Sequence, residues 1–255
     1  MKKIDFLTLF SQKFWYAPAD VLIRAKEGLI WSNQKISSPS LDIGCGDGSI
    51  SQLFFSQLKP INYGLDINPD HLSEALKTRI YKKVVCADAA KLPFKSNQFQ
   101  TVISNSTFEH IKNDLLAVKE VSRVLRPKGV FILTVVSSRL KPLMNQKINQ
   151  RVYHFHYRSL ADWRKIFKVN NLKIIKSGYY LPPSAMKLWL KLFKLATFKP
   201  YKRELWSYLQ VSFLTPIWPK KLTSLLIQIL LRPYYYPAFN QDGTWLFIKA
   251  VKQSK

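Results

Sequence analysis

The chain has few of the residues that cross-link a fold or bind metal. It contains two cysteines and four histidines among 255 residues. Two cysteines provide neither a disulfide framework nor a zinc-binding spacing, so we expect no metal and a reducing, cytoplasmic setting. The start, Met1–Asp5, soon meets an acid and is a poor secretory signal. The apolar run Leu222–Leu231 is shorter than the roughly 20 residues that a bilayer-spanning helix needs.

Acidic residues are also scarce. Fifteen aspartates and glutamates face 40 lysines and arginines, which gives a formal net charge of +25. Such an excess attracts anionic partners, chiefly nucleic acid or a phospholipid surface. A basic surface that is merely solvated is the remaining interpretation.

Only eight glycines are present, and three of them fall within Leu41–Gly48. The pattern predicts a buried strand, a sharp glycine turn and a helix from Ser49 to Leu58. Glycine permits the turn and a close approach of a ligand, and the start of the helix attracts negative charge. The third glycine comes one residue too early for the Gly-x-Gly-x-x-Gly pattern of dinucleotide sites, which argues against NAD.

Further short strands follow, each with a polar residue at its carboxyl end. Ile61–Asp66 ends in an acid about twenty residues after the glycines, the separation at which a βαβ unit brings a carboxylate to a ribose. Tyr81–Cys86 is followed closely by Asp88, and Thr101–Asn105 ends in an amide. The series predicts a parallel α/β sheet with a nucleoside-binding edge.

Together these segments resemble the class I S-adenosylmethionine-dependent methyltransferases, in particular their small-molecule, type 11-like branch. The resemblance covers residues 38–180 and a closing strand, Thr244–Val251. It implies a Rossmann-like α/β fold whose seven-stranded sheet is mostly parallel, with an antiparallel last strand. It also implies S-adenosyl-L-methionine as cofactor. Lys128 stands where the family usually has a second glycine. The matching segments are Leu41–Ser49, Tyr63–Asp66, Ala87–Phe94, Phe99–Ile111 and Val124–Thr134.

The resemblance further implies which residues hold the methionine part of the cofactor. Gly44, Cys45 and Gly46 would form the turn around it, and Asp42 would orient it from the strand end. The main chain near Asn105 would hold the ammonium group. Ordinary turn and capping chemistry is the alternative role for such an aspartate.

The nucleoside part of the cofactor is assigned in the same way. By the resemblance, Asp66 would accept hydrogen bonds from both ribose hydroxyls, and Ile67 would pack on the adenine face. Asp88 would accept from the adenine amino group, while the backbone amide of Ala89 would donate to the ring.

Histidines are the candidate catalytic residues, because an oxygen acceptor can require a general base. His110 follows the fourth strand, close to where the transferred methyl group must lie. His154 and His156 alternate in strand fashion, so only one of them is expected to face the pocket. Arg151 or Arg158 could instead hold an anionic group of the acceptor.

Four segments organise the chain. We expect an N-terminal helical lid at 1–35, the S-adenosylmethionine-binding core at 36–180, an apolar and basic helical insertion at 181–243, and the final core strand at 244–255. The insertion leaves the sheet at its carboxyl edge, so it should cover the substrate pocket or face a membrane.

The insertion combines lysines, tryptophans and leucines. In Met186–Phe198 the lysines form one helical stripe beside an apolar face, a pattern typical of a helix in a membrane surface. A substrate lid or a dimer interface remains open. We therefore predict a methyltransferase for a small-molecule, lipid-like or lipid-linked glycan acceptor, cytoplasmic and peripheral at the inner face of the membrane. A tRNA or rRNA methyltransferase is the alternative, although the fourth strand lacks the Asn-Pro-Pro-Tyr motif of many base N-methylating enzymes. A non-catalytic binding scaffold is the third.

Overall fold

The structure is a computed structural model that describes residues 4–55, 60–199, 202, 204–211 and 219–254, without the side chains of residues 210 and 211. The chain divides into two compact units. The larger unit holds residues 31–179 and 244–255, and the smaller holds residues 1–30 and 180–243. Of the insertion predicted at 181–243, residues 200, 201, 203 and 212–218 lie outside the described residues.

Seven strands and ten α-helices are described. The strands are β1 Ser40–Ile43, β2 Ile61–Asp66, β3 Tyr81–Cys86, β4 Phe99–Asn105, β5 Leu125–Val136, β6 Leu172–Tyr180 and β7 Trp245–Lys252. The helices are α1 Phe6–Lys13, α2 Pro18–Trp31, α3 Ser49–Phe55, α4 Pro69–Lys77, α5 Asp114–Val124, α6 Gln146–Val152, α7 Leu160–Val169, α8 Pro183–Ala196, α9 Leu205–Val211 and α10 Lys220–Tyr235. The helix predicted from Ser49 to Leu58 is present up to Phe55, and the rest of that prediction lies outside the described residues.

The strands form one sheet with the order β3-β2-β1-β4-β5-β7-β6. The pairs of β1 with β2 and with β4 are parallel, whereas β7 runs antiparallel to β5. The predicted Rossmann-like sheet, mostly parallel with an antiparallel last strand, is therefore confirmed.

The core of the larger unit lies on the faces of the central strands. Every residue of β1 is buried, as expected of a parallel strand covered on both sides. Helix α5 buries Val118 and Val121 in this core, and α7 buries Trp163 and Phe167. The helices thus fix the central strands whose ends carry the polar residues.

Local start signals behave as the sequence indicates. Asn68 caps α4, with its side chain accepting from the amide of Asp70, and Pro69 takes the first helical position. Ser159 and Asp162 form a reciprocal capping box at the start of α7. The helix that follows β2 therefore begins at Pro69, three residues after Asp66.

The smaller unit joins the first helices of the chain to the last one. The amide of Phe6 donates to the hydroxyl of Tyr235 at 3.0 Å, and Thr8 pairs with Gln228 at 2.9 Å. Lys26, 1% exposed, donates from Nζ to the carbonyls of Tyr234 and Pro237 at the end of α10. Nothing in the sequence pattern signals these contacts. The segment boundaries at 35/36, 180/181 and 243/244 stay predictions. Among the described helices, none has both the length and the apolarity needed to cross a bilayer.

Candidate active site

The turn after β1 is built on glycine. Gly44, Gly46 and Gly48 have φ angles of +74°, +52° and +75°, in the left-handed region that L side chains rarely adopt. A Cβ added to Gly44 would lie 2.2 Å from Cγ2 of Thr107, whereas one on Gly46 would meet nothing within 4 Å. Position 44 therefore needs glycine for both space and backbone conformation.

The carboxylate of Asp66 lies at the end of β2 beside this turn. Its Oδ2 accepts the amide of Gly46 at 2.9 Å, and its Oδ1 accepts the amide of Asn68 at the same distance. The two backbone bonds fix the side chain, which is 14% exposed. A carboxylate has about four acceptor positions, so capacity remains for two ligand hydroxyls.

A cavity of about 430 Å³ opens at the carboxyl edge of the sheet. This volume falls in the range of small-molecule sites. Its walls contain six of the predicted site residues, namely Gly44, Asp66, Ile67, Asp88, Ala89 and His110. The remaining wall residues are Ile43, Leu65, Ala87, Ser106, Thr107, Ile111, Lys112 and Asn113.

Asp42 and Cys45 are buried and are not among the wall residues. Oδ2 of Asp42 accepts from the hydroxyls of Ser51 at 2.9 Å and Tyr81 at 2.6 Å. Burial raises the pKa of Asp42 to about 6, and the two hydrogen bonds oppose that shift. The Asp42 carboxylate therefore links β1 to α3 and β3, and its expected role of orienting the cofactor stays a prediction. Burial also raises the pKa of the Cys45 thiol far above its usual value, so this thiol is not an activated nucleophile.

Gly46 and Asn105 are also absent from the wall. Gly46 acts through its amide on Asp66. The side-chain oxygen of Asn105 accepts from Trp31 Nε1 and from the Thr134 hydroxyl, both at 2.7 Å. The two residues after Asn105, Ser106 and Thr107, are those that face the cavity.

Sequence reasoning missed Ser106 and Thr107. Ser106 has a φ of +49°, unusual for a residue other than glycine, and its amide donates to the carbonyl of Thr134 at 2.9 Å. The available signal was their place directly after β4, where side chains of a parallel sheet reach the ligand edge. Nothing in their residue types indicated that position.

Three wall residues of the cavity, Ile67, Asp88 and Ala89, carry the predicted adenine roles. The side chain of Ile67 is 70% exposed. Oδ1 of Asp88 accepts the amide of Ala90 at 2.8 Å, which fixes the carboxylate next to Ala89. The adenine roles of these residues stay predictions.

Two of the predicted catalytic histidines are neighbours. The ring centres of His110 and His154 lie 5.0 Å apart, although the two residues are distant in the sequence. Nδ1 of His110 lies 3.1 Å from the Tyr153 carbonyl, and Nδ1 of His154 lies 3.0 Å from the Tyr157 hydroxyl. Burial, with a smaller contribution from His110, lowers the pKa of His154 to about 3, so this imidazole is neutral at physiological pH.

His156 occupies a different environment from His154, but neither is among the wall residues of the cavity, so the expectation that one of them faces the pocket stays a prediction. Its Nε2 lies 3.0 Å from the Lys112 carbonyl and 3.5 Å from Oδ1 of Asp114. Arg158 donates two hydrogen bonds to the same Asp114, at 2.5 and 2.7 Å. His156 and Arg158, which are both partly exposed, therefore contact the buried Asp114, and neither is among the wall residues of the cavity. Of the three predicted bases, only His110 is a wall residue.

The geometry has a counterpart among known proteins. Residues 41–133 match a family model described as a methyltransferase domain. Residues 41–133 therefore form a methyltransferase domain. The resemblance, the predicted enzyme class for this domain and the implied S-adenosylmethionine cofactor are thereby confirmed.

Similar proteins share this domain rather than the whole chain. An uncharacterized protein of Methanocaldococcus jannaschii is 33% identical over 146 residues, which are 56% of this chain and 59% of that protein. The mitochondrial arginine-hydroxylase NDUFAF5 of Homo sapiens is 37% identical over 94 residues, 36% of this chain and 27% of that protein. The matches therefore span less than two thirds of the length of these curated relatives.

Solved structures extend the likeness of the fold. Geranyl diphosphate C-methyltransferase from Streptomyces coelicolor, in complex with Mg²⁺, geranyl diphosphate and S-adenosyl-L-homocysteine, superimposes with a TM-score of 0.57 at 15% identity. The superposition covers 89% of this chain and 76% of that chain. At this identity the likeness concerns the fold of the methyltransferase domain alone.

Proposed function

We propose that the protein transfers a methyl group from S-adenosylmethionine to a small, lipid-like acceptor at the surface of an anionic membrane. The use of S-adenosylmethionine is supported by the fixed carboxylate of Asp66, which lies on the wall of a cavity at the glycine turn. Asp66 is held by backbone amides and keeps acceptor positions for a ribose diol.

The wall residues fit the rest of the cofactor. Gly44 gives the methionine part close access to the backbone, while Ile67 and Asp88 offer the adenine ring an apolar face and an acceptor. The cofactor, when bound, supplies a methyl group already activated by its sulfonium. The protein then has mainly to position the acceptor in line and exclude water.

His110 is our candidate for the group that removes a proton from the acceptor. It lies on the cavity wall, and its Nδ1 can only donate to the Tyr153 carbonyl, since a carbonyl has no proton. The other ring nitrogen, Nε2, therefore carries a lone pair in the neutral ring. The ring of His154 lies 5.0 Å from that of His110, whereas Nε2 of His156 contacts the Lys112 carbonyl. The proposal therefore does not include His156 among the bases.

Helix α10 carries the membrane part of the proposal. Its buried face, which includes Ile227 and Leu231, packs within the smaller unit. A second apolar stripe, with the spacing of successive helical turns, is exposed. Its members, each between 45% and 63% exposed, are Leu222, Leu225, Leu226, Ile229 and Leu230.

The exposed stripe is large enough to matter energetically. Transfer of these five half-exposed side chains into an apolar phase is worth on the order of 5 kcal/mol. Lys220, Lys221 and Arg232 flank the stripe and suit anionic headgroups. The leucines favour lipid over RNA, because RNA contacts require aromatic or polar groups.

Helix α8 has a smaller part than the sequence predicts. Its lysines at 187, 191 and 194 are exposed, as the predicted stripe requires. Trp189, which we expected at a membrane interface, is only 6% exposed and stacks on Phe193 with ring centres 4.8 Å apart. The proposed lipid-facing surface is therefore that of α10, while α8 contributes charge.

The transfer reaction is tested with methyl-labelled S-adenosylmethionine and separate lipid and RNA extracts of the source cells. The proposal expects label in the lipid extract, with a mass increase of one methylene in the product. Label in the RNA extract would instead support a tRNA or rRNA methyltransferase. An increase of one oxygen instead would point to hydroxylation, the activity in the name of the human relative.

Membrane binding is tested by flotation with phosphatidylcholine vesicles, with and without phosphatidylglycerol. We expect flotation that depends on the anionic lipid and is lost in a Leu225→Glu, Ile229→Glu double variant. Leu116→Glu is the matched control, because this leucine is 51% exposed on α5 in the other unit. Equal flotation of the double variant, or its loss in the control, would contradict the assignment to α10.

A further inference from the structure

The structure brings His154 to the adjacent pair Glu109 and His110, which lies far from it in the sequence, and all three side chains have metal-binding chemistry. Ligand atoms of Glu109, His110 and His154 all lie within 4.8 Å of one another. Two imidazoles and a carboxylate are a common ligand set for divalent transition metals with open coordination positions. The sequence predicted no metal, because its spacing gives no sign that these residues meet.

We propose that Glu109, His110 and His154 bind one divalent transition-metal ion at the rim of the cofactor cavity. Ligand atoms of a tetrahedral site with bonds near 2.0–2.1 Å lie about 3.3 Å apart. The three side chains must therefore close by an ångström or so on binding. Such a change is within the reach of side-chain rotation, and three protein ligands leave one position open.

The hydrogen bonds around His154 orient its ring for this purpose. The amide nitrogen of Asn149 donates to the His154 carbonyl at 3.4 Å, which turns the amide oxygen towards Tyr157. The Tyr157 hydroxyl donates to that oxygen at 2.6 Å and has no second proton. At 3.0 Å it can therefore only accept the proton on Nδ1 of His154, which leaves a lone pair on Nε2.

The backbone does the same for His110. Tyr153 ends α6 in a left-handed conformation, with a φ of +55°, and its carbonyl accepts from Nδ1 of His110 at 3.1 Å. In the neutral form, both histidines thus donate the Nδ1 proton to a fixed acceptor, which places the lone pair of each ring on Nε2. Metal-binding histidines in proteins are held in this manner by a second group.

The third member is a buried acid. Glu109 is 1% exposed, next to His110 in a short 3-10 helix directly after β4. The burial of an ionised carboxylate costs free energy unless a cation lies beside it, and a bound metal ion would supply that positive charge. With the ion bound, Nε2 of His110 would be a ligand instead of the base, and the ion would lower the pKa of an acceptor oxygen held at its open position. That role rests on the proposed function. The binding of the ion does not.

The test uses the full chain without a polyhistidine tag, stripped with a chelator, and titrated with Co²⁺ by absorption spectroscopy and with Zn²⁺ by calorimetry. We expect one equivalent to bind, with a Co²⁺ spectrum of histidine and carboxylate ligands. His154→Ala and Glu109→Gln should weaken binding by about a hundredfold or more, since each removes a ligand. His156→Ala and His71→Ala are matched controls and should bind as the parent does.

Tyr157→Phe keeps the test decisive if a ligand variant fails to fold. It removes only the acceptor that orients His154, and we expect about a tenfold loss of metal affinity. The absence of a saturable single equivalent would overturn the proposal, as would an equal loss in His156→Ala. S-adenosylhomocysteine affinity, measured in parallel, reports separately on the proposed function.

Discussion

Substitution of Gly44 by alanine isolates the steric demand of the glycine turn. The new Cβ would lie 2.2 Å from Cγ2 and 2.3 Å from Oγ1 of Thr107, and 2.8 Å from its Cβ. The φ of +74° adds about 1 kcal/mol for any residue with a Cβ. Overpacking of this kind costs a further 1–3 kcal/mol or so. We therefore expect a loss of about 2–4 kcal/mol in the free energy of unfolding.

The assay is denaturant unfolding of a double-mutant cycle with Thr107→Gly. In the double variant the threonine side chain is absent, so the 1–3 kcal/mol or so attributed to overpacking should be regained. A loss of about 1 kcal/mol from the backbone conformation should remain. Gly46→Ala is the matched control, because its φ is +52° but its Cβ would meet nothing within 4 Å. It should lose only about 1 kcal/mol. Equal losses in Gly44→Ala and Gly46→Ala, or no coupling with Thr107, would refute the described packing.

Two further predictions concern buried charged groups. Lys26→Met should lower the free energy of unfolding, measured with denaturant, by about 2–3 kcal/mol, because the carbonyls of Tyr234 and Pro237 lose a buried charged donor. The control Lys187→Met, at an exposed position of α8, should leave that free energy unchanged. An equal loss in the control would contradict this explanation. The pKa of Asp42 is about 6 in the folded protein against 3.8 in the unfolded chain. Between these two values the folded protein keeps a proton on Asp42 that the unfolded chain has lost. The free energy of unfolding therefore falls as the pH rises from about 4 to 6. Without ligand, the free energy of unfolding of Asp42→Asn should therefore rise relative to that of the parent by on the order of 3 kcal/mol over this pH range. The amide oxygen of the asparagine can still accept from Ser51 and Tyr81. Curves of stability against pH that run parallel for the two proteins would contradict the raised pKa.

The part of the site that lies on strand ends could be predicted from the sequence. The glycine turn, Asp66 and Asp88 follow directly from β1, β2 and β3, and the order of parallel strands brings them to one edge. The predicted sheet is confirmed for the same reason. Short-range patterns therefore sufficed wherever a residue's place depends on its own strand and turn.

Residues whose place depends on distant segments could not be predicted in this way. His110 and His154 meet only because the turn after α6 returns to the end of β4. The pairing of α1 with α10, and the burial of Trp189, likewise depend on packing between segments that are far apart in the chain. Amphipathic patterns showed that α8 and α10 have apolar faces, but not which face the fold would cover.

The binding of S-adenosylhomocysteine, measured by calorimetry on the parent chain, Asp66→Ala and Asp70→Ala, tests the central assignment most directly. Asp70 is an exposed acid on α4 and matches the change in charge. We predict stoichiometric binding to the parent and to Asp70→Ala, and a loss of about 2 kcal/mol, roughly 30-fold in affinity, for Asp66→Ala. A parent chain that does not bind, or an Asp66→Ala variant that binds as tightly as the parent, would contradict the account.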